Sequence, residues 1–254
     1  MESTNKYFFK DMSVMFGRSM RHIFRSMDTI ITVCLTPIAM MLLFVYVFGG
    51  AIKTGTENYI NYILPGIMLM AIGSGISYVS YRIFIDKERG IFERFHSMPI
   101  ARSTVLWGYV LTSLISNGIS VIVIILVALL MGFRSSAGIL AWLAVFGVLG
   151  IFTLTLTWIA VIAGLAAKTP DGAVAFAYPI IFLPFISSAF VPTDTMLSTV
   201  RVFAENQPVT PIVETIRNLL SNKPVGNEIW IALAWCIAIM VIAYIIAMMI
   251  DKKL

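Results

Sequence analysis

Few side chains in this sequence could do chemistry, and none of them is arranged as an enzyme active site requires. The acidic residues Asp86, Glu88 and Glu93 cluster, but basic residues of the same charged stretch flank each of them. An intramembrane transferase would need carboxylates inside the apolar segments to hold a metal and a diphosphate. The Gly-x-Ser-x-Gly, His-Glu-x-x-His and Gly-rich Lys-Ser/Thr motifs do not occur in the sequence. We therefore predict no enzymatic activity, no metal or other cofactor in this chain, and no ATP binding of the P-loop kind.

The histidines and cysteines do not indicate a metal or redox site. His22 and His96 lie in charged segments, where we interpret them as interfacial polar residues. Cys34 and Cys236 lie inside apolar runs without a partner at a metal-binding or disulfide spacing. We interpret both cysteines as core residues.

The apolar segments are long enough to cross a membrane. Hydrophobic residues make up 59% of the chain and charged residues 12%, whereas soluble domains carry about 25% charged residues. A helix needs about 20 residues to cross the hydrocarbon core. Six uncharged stretches reach that length, at residues 29–52, 58–81, 103–133, 135–167, 172–193 and 229–250. We predict an all-α integral membrane protein with six transmembrane helices, of which the fifth is kinked by Pro170, Pro179 and Pro184.

The lysines and arginines are distributed unequally between the two sides that six spans create. If the N-terminus is inside, 13 of the 18 basic residues lie in inner segments and 5 in outer segments. The positive-inside rule therefore predicts that both termini lie in the cytoplasm. This topology and anionic lipid explain the formal charge of +5, so the charge does not indicate a nucleic-acid partner.

The segment before the first span is amphipathic. On a helix over residues 6–28, phenylalanines and methionines fall on one side and basic residues on the other. We predict that residues 1–28 form a helix that lies flat on the cytoplasmic membrane surface, ahead of a transmembrane domain at residues 29–254.

The charged segment at residues 82–102 combines mixed charges with aromatic residues. Gly90 interrupts it and Pro99 marks its end before the next span. A short charged helix that exposes Phe92 and Phe95 suits docking into a groove on a soluble partner better than a solvated loop does. We predict such an inner helix at about residues 86–99, and a tight inner turn at residues 168–172.

The stretch at residues 190–228 is too long for a simple turn, yet apolar residues recur along it. Four prolines divide it into two short helical pieces that cannot span a membrane. We predict a re-entrant pair of outer helices at about residues 190–227, covered by protein or facing a water-filled cavity.

The predicted spans contain no Asp, Glu, Lys, Arg or His, which argues against proton- or sodium-coupled transport. They do contain small and weakly polar residues, which allow helices to approach closely and could also line a substrate path. The candidate pathway residues are Ser77, Thr112, Ser116, Asn117, Thr153 and Thr157.

Three motifs, in this order, make the sequence resemble a known family. They are KERGIFERFHSMPI at residues 87–100, SSAFVPTDTM at 187–196 and NQPVTPIVETIRNLL at 206–220. With the six spans and the amphipathic leader, the chain resembles the type-two ABC exporter permeases, in particular the daunorubicin-resistance permease group of bacterial multidrug exporters.

This resemblance implies a membrane subunit of an ATP-driven exporter in the bacterial plasma membrane. ATP and Mg would be bound by a separate ABC ATPase, and a second permease copy, identical or a paralogue, would complete the transporter. The leader would be a connecting helix, and residues 168–172 a second inner contact. The residues that would couple the permease to the ATPase are Lys87, Glu88, Arg89, Gly90, Phe92, Glu93, Arg94 and Phe95.

The substrate class is left open by the resemblance. An uncharged pathway favours a hydrophobic or amphiphilic substrate such as a drug, an antibiotic or a lipid-like molecule. The alternatives are a permease for polysaccharide or ion export and a stand-alone membrane channel or scaffold, which would not need the docking helix.

The topology can be tested with single cysteines in a chain whose native Cys34 and Cys236 are replaced by alanine. With intact cells, a membrane-impermeant maleimide should label Ser221→Cys, whereas Ser3→Cys should react only after permeabilisation. Labelling of both positions from outside would contradict the six-span topology.

Overall fold

The structure, a computed structural model, describes residue 17 and residues 27–49, 59–96 and 102–251. All regular elements in these ranges are helical. The helices are α1 (Met27–Leu43, continued by a π turn at Phe44–Phe48), α2 (Tyr59–Glu88), α3 (Ile91–His96), α4 (Arg102–Leu130), α5 (Ile139–Ala166), α6 (Pro170–Ala175), α7 (Ala177–Phe182), α8 (Ser198–Asn206), α9 (Val209–Leu220) and α10 (Glu228–Asp251). Two 3-10 turns lie at Leu183–Ile186 and Thr193–Thr195. The prediction of an all-helical chain is confirmed for these ranges.

Four of the described helices are long and apolar enough to cross a membrane: α2, α4, α5 and α10. The shortest of them, α10, has 24 residues and is about 36 Å long, which exceeds the hydrocarbon thickness of about 30 Å. Four of the six predicted spans are therefore confirmed by length and composition. The first and fifth predicted spans coincide with shorter apolar helices, Leu35–Phe48 and Pro170–Ile186. The total of six stays a prediction.

Side-chain contacts show which loops share an end of the bundle. Lys87 Nζ donates to the carbonyl of Leu165 at 2.7 Å, which places the end of α2 beside the end of α5. At the other end, Arg217 donates to the carbonyl of Tyr62, and Ser135 Oγ donates to the carbonyl of Leu220. We call these the Gly90 end and the Arg217 end. The loops that the sequence assigned to one common side do lie together.

Helix α2 is the centre of the packing among the described helices. It is apolar all round and almost entirely buried from Tyr59 to Ile76, as expected for a helix with neighbours on every side. Two glycines on one face let the chain after α5 come close. A Cβ atom on Gly66 would lie 2.6 Å from Ala189 Cβ, and one on Gly73 would lie 3.2 Å from Ile181 Cγ1. Such small-residue contacts let membrane helices pack backbone to backbone.

Helix α5 packs against α2 near the Gly90 end and against α10 on another face. A Cβ atom on Gly164 would lie 2.7 Å from the carbonyl oxygen of Ser80 and 2.8 Å from Ile83 Cβ. On the other face, the fully buried Trp158 makes edge-on contacts with Trp107 of α4 and Tyr244 of α10. Helix α5 therefore joins α2, α4 and α10 into one bundle.

The fifth predicted span is broken into α6, α7 and a 3-10 turn. Thr169 caps α6 by accepting a hydrogen bond from the amide of Gly172 at 3.1 Å, and Pro170 occupies the first helical position. Helix α6 ends at Ala175 because Pro179 has no N–H to donate to its carbonyl. Pro184 lies in the 3-10 turn that ends the segment. The predicted kink is confirmed, and two breaks replace a single one.

The predicted pair of short helices before the last span is also present. Helix α9 begins after Pro208 and carries Pro211 in its first turn, where a missing N–H costs no helix hydrogen bond. Most of α9 is buried against α2, α5 and α10, whereas α8 buries only Ala204. Other helices of the protein therefore cover α9. Irregular backbone near a membrane is tolerated only where protein or a water-filled cavity covers it.

The predicted amphipathic helix at residues 6–28 lies outside the described residues, apart from Gly17 and the first two residues of α1. The connecting-helix assignment therefore stays a prediction.

The close contact between α2 and α5 can be tested with two alanine substitutions on the same helix. We expect Gly164→Ala to destabilise the protein by about 1–3 kcal/mol, because the added methyl group would overlap Ser80 and Ile83. Gly147→Ala is the matched control, since no atom lies within 4 Å of its added Cβ and alanine has the better helix propensity. Thermal unfolding in detergent measures both. Equal melting temperatures would contradict the contact.

Candidate coupling surface and buried polar cluster

The short helix predicted at the Gly90 end is confirmed, but its bounds differ from those predicted. Lys87 and Glu88 belong to the last turn of α2, and the chain turns at Arg89 and Gly90 before α3 begins at Ile91. Gly90 has a φ of +65°, a backbone conformation that glycine adopts without strain. The predicted helix over residues 86–99 is therefore wrong at its start. The charged residues before Gly90 extend the long helix, so they move rigidly with it.

A buried carboxylate fixes the base of this turn. Asp86 is only 3% exposed, and it accepts a hydrogen bond from the hydroxyl of Tyr109 on α4. Arg82 Nη2 lies 3.9 Å from the same carboxylate oxygen. Hydrogen bonds to an ionised group are stronger than those between neutral groups. The contact ties the end of α2 to the beginning of α4.

Phe92 is part of this base and is not an exposed aromatic. It is 2% exposed, and its ring stacks against Tyr109 with centroids 6.4 Å apart and an interplanar angle of 9°. The expectation that Phe92 is exposed for docking into a partner is therefore wrong. The side chain packs inward because the turn at Gly90 brings α3 back against α4, where the ring of Tyr109 covers it. The side chain of Phe95 lies outside what the structure describes.

Lys87 connects this turn to the second loop at the same end. Its Nζ donates to the carbonyl of Leu165 in the last turn of α5, where carbonyl groups have no partner within the helix. Helix α5 ends at Ala166, just before the turn at residues 168–172. The two loops predicted to contact a partner are therefore linked by one ammonium group.

The outward face of the Gly90 end carries mixed charges. Its exposed side chains are Glu88, Arg89, Glu93 and Arg94. They lie on either side of the Gly90 turn, while Asp86 and Phe92 anchor it from below. We call these four residues the coupling surface. It is a charged surface on a rigid base, which suits recognition of a protein partner by charge complementarity.

The weakly polar residues predicted to line a pathway fall into two groups. Thr153 and Thr157 on α5 and Asn117 on α4 are buried in a cluster with Ser113. Ser113 Oγ lies 2.8 Å from Thr157 Oγ1, and Asn117 Nδ2 donates to the carbonyl of Ser113 at 2.9 Å. The oxygen of the Asn117 amide lies against Gly75 of α2, whose added Cβ would be only 2.0 Å away. The cluster joins α4 and α5 by a hydrogen bond and packs against α2 at Gly75.

The remaining pathway candidates bond to their own helices. Thr112 donates to the carbonyl of Gly108, Ser116 to that of Thr112 and Ser77 to that of Gly73. Thr112 is buried, and only Ser77 and Ser116 are half-buried. Hydroxyl groups that bond back to the preceding turn satisfy themselves inside a membrane. A pathway role stays a prediction for all six residues, and the geometry favours helix packing for the buried ones.

A comparison with known protein families decides the class of this protein. Residues 10–220 match the ABC-2 type transporter family. The chain belongs to this family. The match covers both loops of the Gly90 end and helices α8 and α9, and it ends where α9 ends.

Known relatives give the same class. An ABC transporter permease protein of Streptomyces coeruleorubidus, named for daunorubicin resistance, is 27% identical over 192 residues, which are 75% of this chain and 68% of that protein. A protein of Mycobacterium tuberculosis, named for doxorubicin resistance, is 24% identical over 224 residues, covering 86% of this chain and 79% of its own length. A protein of Cyanophora paradoxa named as a transport permease is 24% identical over 226 residues, or 87% of this chain. The resemblance to drug-resistance permeases is confirmed.

Sequence reasoning missed two residues that hold this ABC-2 permease together. Tyr109 gave no signal, because a tyrosine in an apolar span is unremarkable in composition. Arg217 contributes to the sequence prediction only as a basic residue of an outer segment. Its Nη2 donates to the carbonyls of Tyr62 and Ser188 at 3.2 and 2.6 Å, and its guanidinium lies 3.7 Å above the ring of Tyr62. Its position in the strongly amphipathic α9 could have indicated this role.

The surroundings of Arg217 shift the pKa of its guanidinium but do not remove its charge. Desolvation by burial lowers the pKa of the guanidinium, and the nearby Tyr62 and Glu214 oppose this effect. The group remains a cation at neutral pH, because the unperturbed pKa of arginine is so high. Arg217 therefore serves as a permanent charged clamp between α9, α2 and the segment before α8.

The burial of Phe92 gives a prediction that separates a core role from a docking role. We expect Phe92→Ala to lower the stability of the isolated permease by about 3–5 kcal/mol, because it removes a buried ring from the contact with Tyr109. Phe203→Ala on α8 is the control, since that ring is 52% exposed. Thermal unfolding of both purified variants is the measurement. An unchanged melting temperature for Phe92→Ala would show that the ring is not part of the core.

Proposed function

We propose that this chain is the membrane-spanning subunit of an ATP-driven exporter that works with a separate ABC ATPase. The ATPase would bind ATP and Mg, and its movements would reach the permease through the coupling surface. Membership of the ABC-2 family and the drug-resistance names of the relatives support this proposal. The observation that carries it is a charged surface fixed to one end of a helix that runs through the whole bundle.

Helix α2 provides a direct mechanical connection from this surface to the other end. It has 30 residues and is about 45 Å long. Its last turn carries Glu88 and the anchored Gly90 turn, and its first turn carries Tyr62, whose carbonyl accepts from Arg217. A displacement of the coupling surface would therefore reach the contact with α9 along one helix, in which Pro65 is the only proline. The extra contact of Lys87 with α5 would carry the same displacement into a second span.

Two copies would form the complete transporter, with the second one identical or a paralogue. The described spans expose large apolar side chains, including Leu130, Ile139 and Leu140, each more than 80% exposed. Such a surface needs cover from lipid or from another permease copy. We place the protein in a bacterial plasma membrane with six spans and both termini in the cytoplasm. The grouping of loops at the two ends supports this topology.

We infer a hydrophobic or amphiphilic substrate, such as a drug, an antibiotic or a lipid-like molecule. The hydroxyl groups in the described spans are mostly committed to helix hydrogen bonds, so little polar surface remains for a polysaccharide. Export of polysaccharides or ions is the alternative. A stand-alone channel or scaffold would leave the charged Gly90 end without a use.

The proposal can be tested by purifying the tagged permease together with ABC ATPases co-expressed from the same genome. The expected complex hydrolyses ATP, whereas the permease alone shows no hydrolysis above background. Substrate-stimulated ATP hydrolysis in lipid vesicles would identify the exported compound. A permease that binds no ABC ATPase of that genome, or that hydrolyses ATP alone, would contradict the proposal.

The coupling surface gives a sharper prediction. We expect Glu93→Arg combined with Arg89→Glu to reduce ATPase co-purification at least about tenfold, because reversed charges meet an unchanged partner surface. Both side chains are exposed, so membrane insertion and thermal stability should be preserved. Lys223→Glu, an exposed charge reversal at the Arg217 end, is the matched control. Normal co-purification of the double variant, at matched membrane abundance, would show that this surface is not the docking site.

A further inference from the structure

A cavity of about 430 Å³ lies at the Arg217 end, among α8, α9 and α10. It is separate from the coupling surface and from the buried polar cluster. Its lining includes Glu205, Gln207, Glu214, Glu228, Ile231 and Trp235. Ligand pockets for drug-sized molecules have volumes of about 300–1,000 Å³. The cavity is therefore large enough for a small organic molecule.

The carboxylates of the cavity differ in how they are neutralised. Glu205 is paired with Arg201 at 2.7 Å, and Arg201 also contacts Asp194 at 2.9 Å. Glu214 and Glu228 form no hydrogen bond or salt bridge with any part of the chain that the structure describes. Glu228 is the first residue of α10, where the helix dipole favours a negative charge. Arg217 interacts electrostatically with Glu214 without forming an ion pair, whereas no ion pair or hydrogen bond among the described residues neutralises Glu228.

An amide next to these carboxylates also has spare hydrogen-bonding capacity. Gln207 lines the cavity and is 5% exposed. Its Nε2 donates to the carbonyl of Ile186 at 2.5 Å, but its Oε1 has no hydrogen-bond partner among the described residues. A buried acceptor without a partner is costly, so a donor supplied from the cavity would be stabilising. The carboxylates and this amide oxygen are acceptors, which favours a cationic or hydrogen-donating ligand.

The other wall of the cavity is apolar and reaches into the membrane-spanning part. Ile231 and Trp235 lie on α10, and the two side chains are 47% and 43% exposed. Trp235 is seven residues beyond Glu228, or about 10 Å further along the helix. A tryptophan face attracts organic cations and also packs against apolar groups. A ligand would therefore meet carboxylates at the helix end and an aromatic, lipid-accessible wall below it.

We propose that this cavity binds amphiphilic organic cations, with the positive group beside Glu214 and Glu228 and the apolar part against Ile231 and Trp235. This inference rests on the proposed function and narrows its substrate class. A metal ion is a poor match, because the described residues contain no group of three or more acidic, histidine or cysteine side chains that could hold one. An anionic amphiphile would be repelled by both carboxylates. Because α9 also contacts α2 through Arg217, binding in the cavity is connected to the helix that carries the coupling surface.

The test measures binding of tetraphenylphosphonium, a lipophilic cation that does not titrate, to the full permease in lipid nanodiscs. Empty nanodiscs correct for partition into lipid, and triphenylphosphine oxide serves as the neutral probe with similar rings. We expect the double variant Glu214→Gln, Glu228→Gln to raise the Kd for the cation about tenfold. Trp235→Leu should raise it about threefold or more. Asp194→Asn is the matched control, since it removes a carboxylate at the same end that does not line the cavity.

The outcomes separate this inference from the proposed function. An unchanged Kd in the double variant, or equal binding of the neutral probe with the same dependence on Glu214 and Glu228, would overturn the cationic cavity. Full displacement by Mg²⁺ would also overturn it, because the site would then belong to an inorganic cation. Each variant is also assayed for ATPase co-purification, which the cavity substitutions should leave intact. Loss of cation binding with normal co-purification supports the inference, whereas failure of the native chain to bind any ABC ATPase contradicts the proposed function instead.

Discussion

The close approach of α2 to its neighbours is the constraint on which the rest of the described structure depends. Lipid is as apolar as the side chains it surrounds, so helices in a membrane gain their contacts from packing rather than from leaving water. Glycines provide that packing on several faces of α2: Gly66 and Gly73 toward the chain after α5, and Gly75 toward Asn117 of α4. On α5, Gly164 completes the set by facing Ser80. With a side chain at any of these points, the central helix could not keep all of its neighbours at once.

Buried polar groups fix the position of each end of α2 relative to its neighbours. At the Gly90 end, a buried carboxylate, a tyrosine hydroxyl and a stacked ring hold the short α3 in one position. At the Arg217 end, one guanidinium bonds two carbonyl groups that belong to different segments. Breaking either set would leave a buried charge without its partners, which is much more costly than losing an exposed contact. Both ends of α2 are therefore held by buried contacts with other segments of the chain.

In this arrangement buried residues stabilise the fold, and the charged side chains around Gly90 remain exposed. Exposed residues around Gly90 can vary their charge pattern to suit a partner, because the stability of the turn comes from residues beneath them. The cavity at the opposite end is bounded by α8, α9 and α10, so its shape follows the position of α9. Helix α9 contacts both α2 and α10, so one wall of the cavity packs against the helix that carries the charges around Gly90.

The sequence by itself determined the helical class, four of the spans, the breaks in the apolar segment after α5, the two short helices before the last span, and the family. These follow from local properties: the length of apolar runs, the missing N–H of proline, and motifs that are contiguous in the chain. The tertiary structure alone decided that Phe92 points inward, that Asp86 meets Tyr109, and that Arg217 clamps three segments. It also showed the hydrogen bonds that Thr157 and Asn117 make with Ser113, while their pathway role stays a prediction. The physical reason is that an aromatic or hydroxyl side chain fits the same sequence pattern whether it faces a partner or a neighbouring helix. Only contacts between residues distant in the chain show which of these surroundings the side chain has.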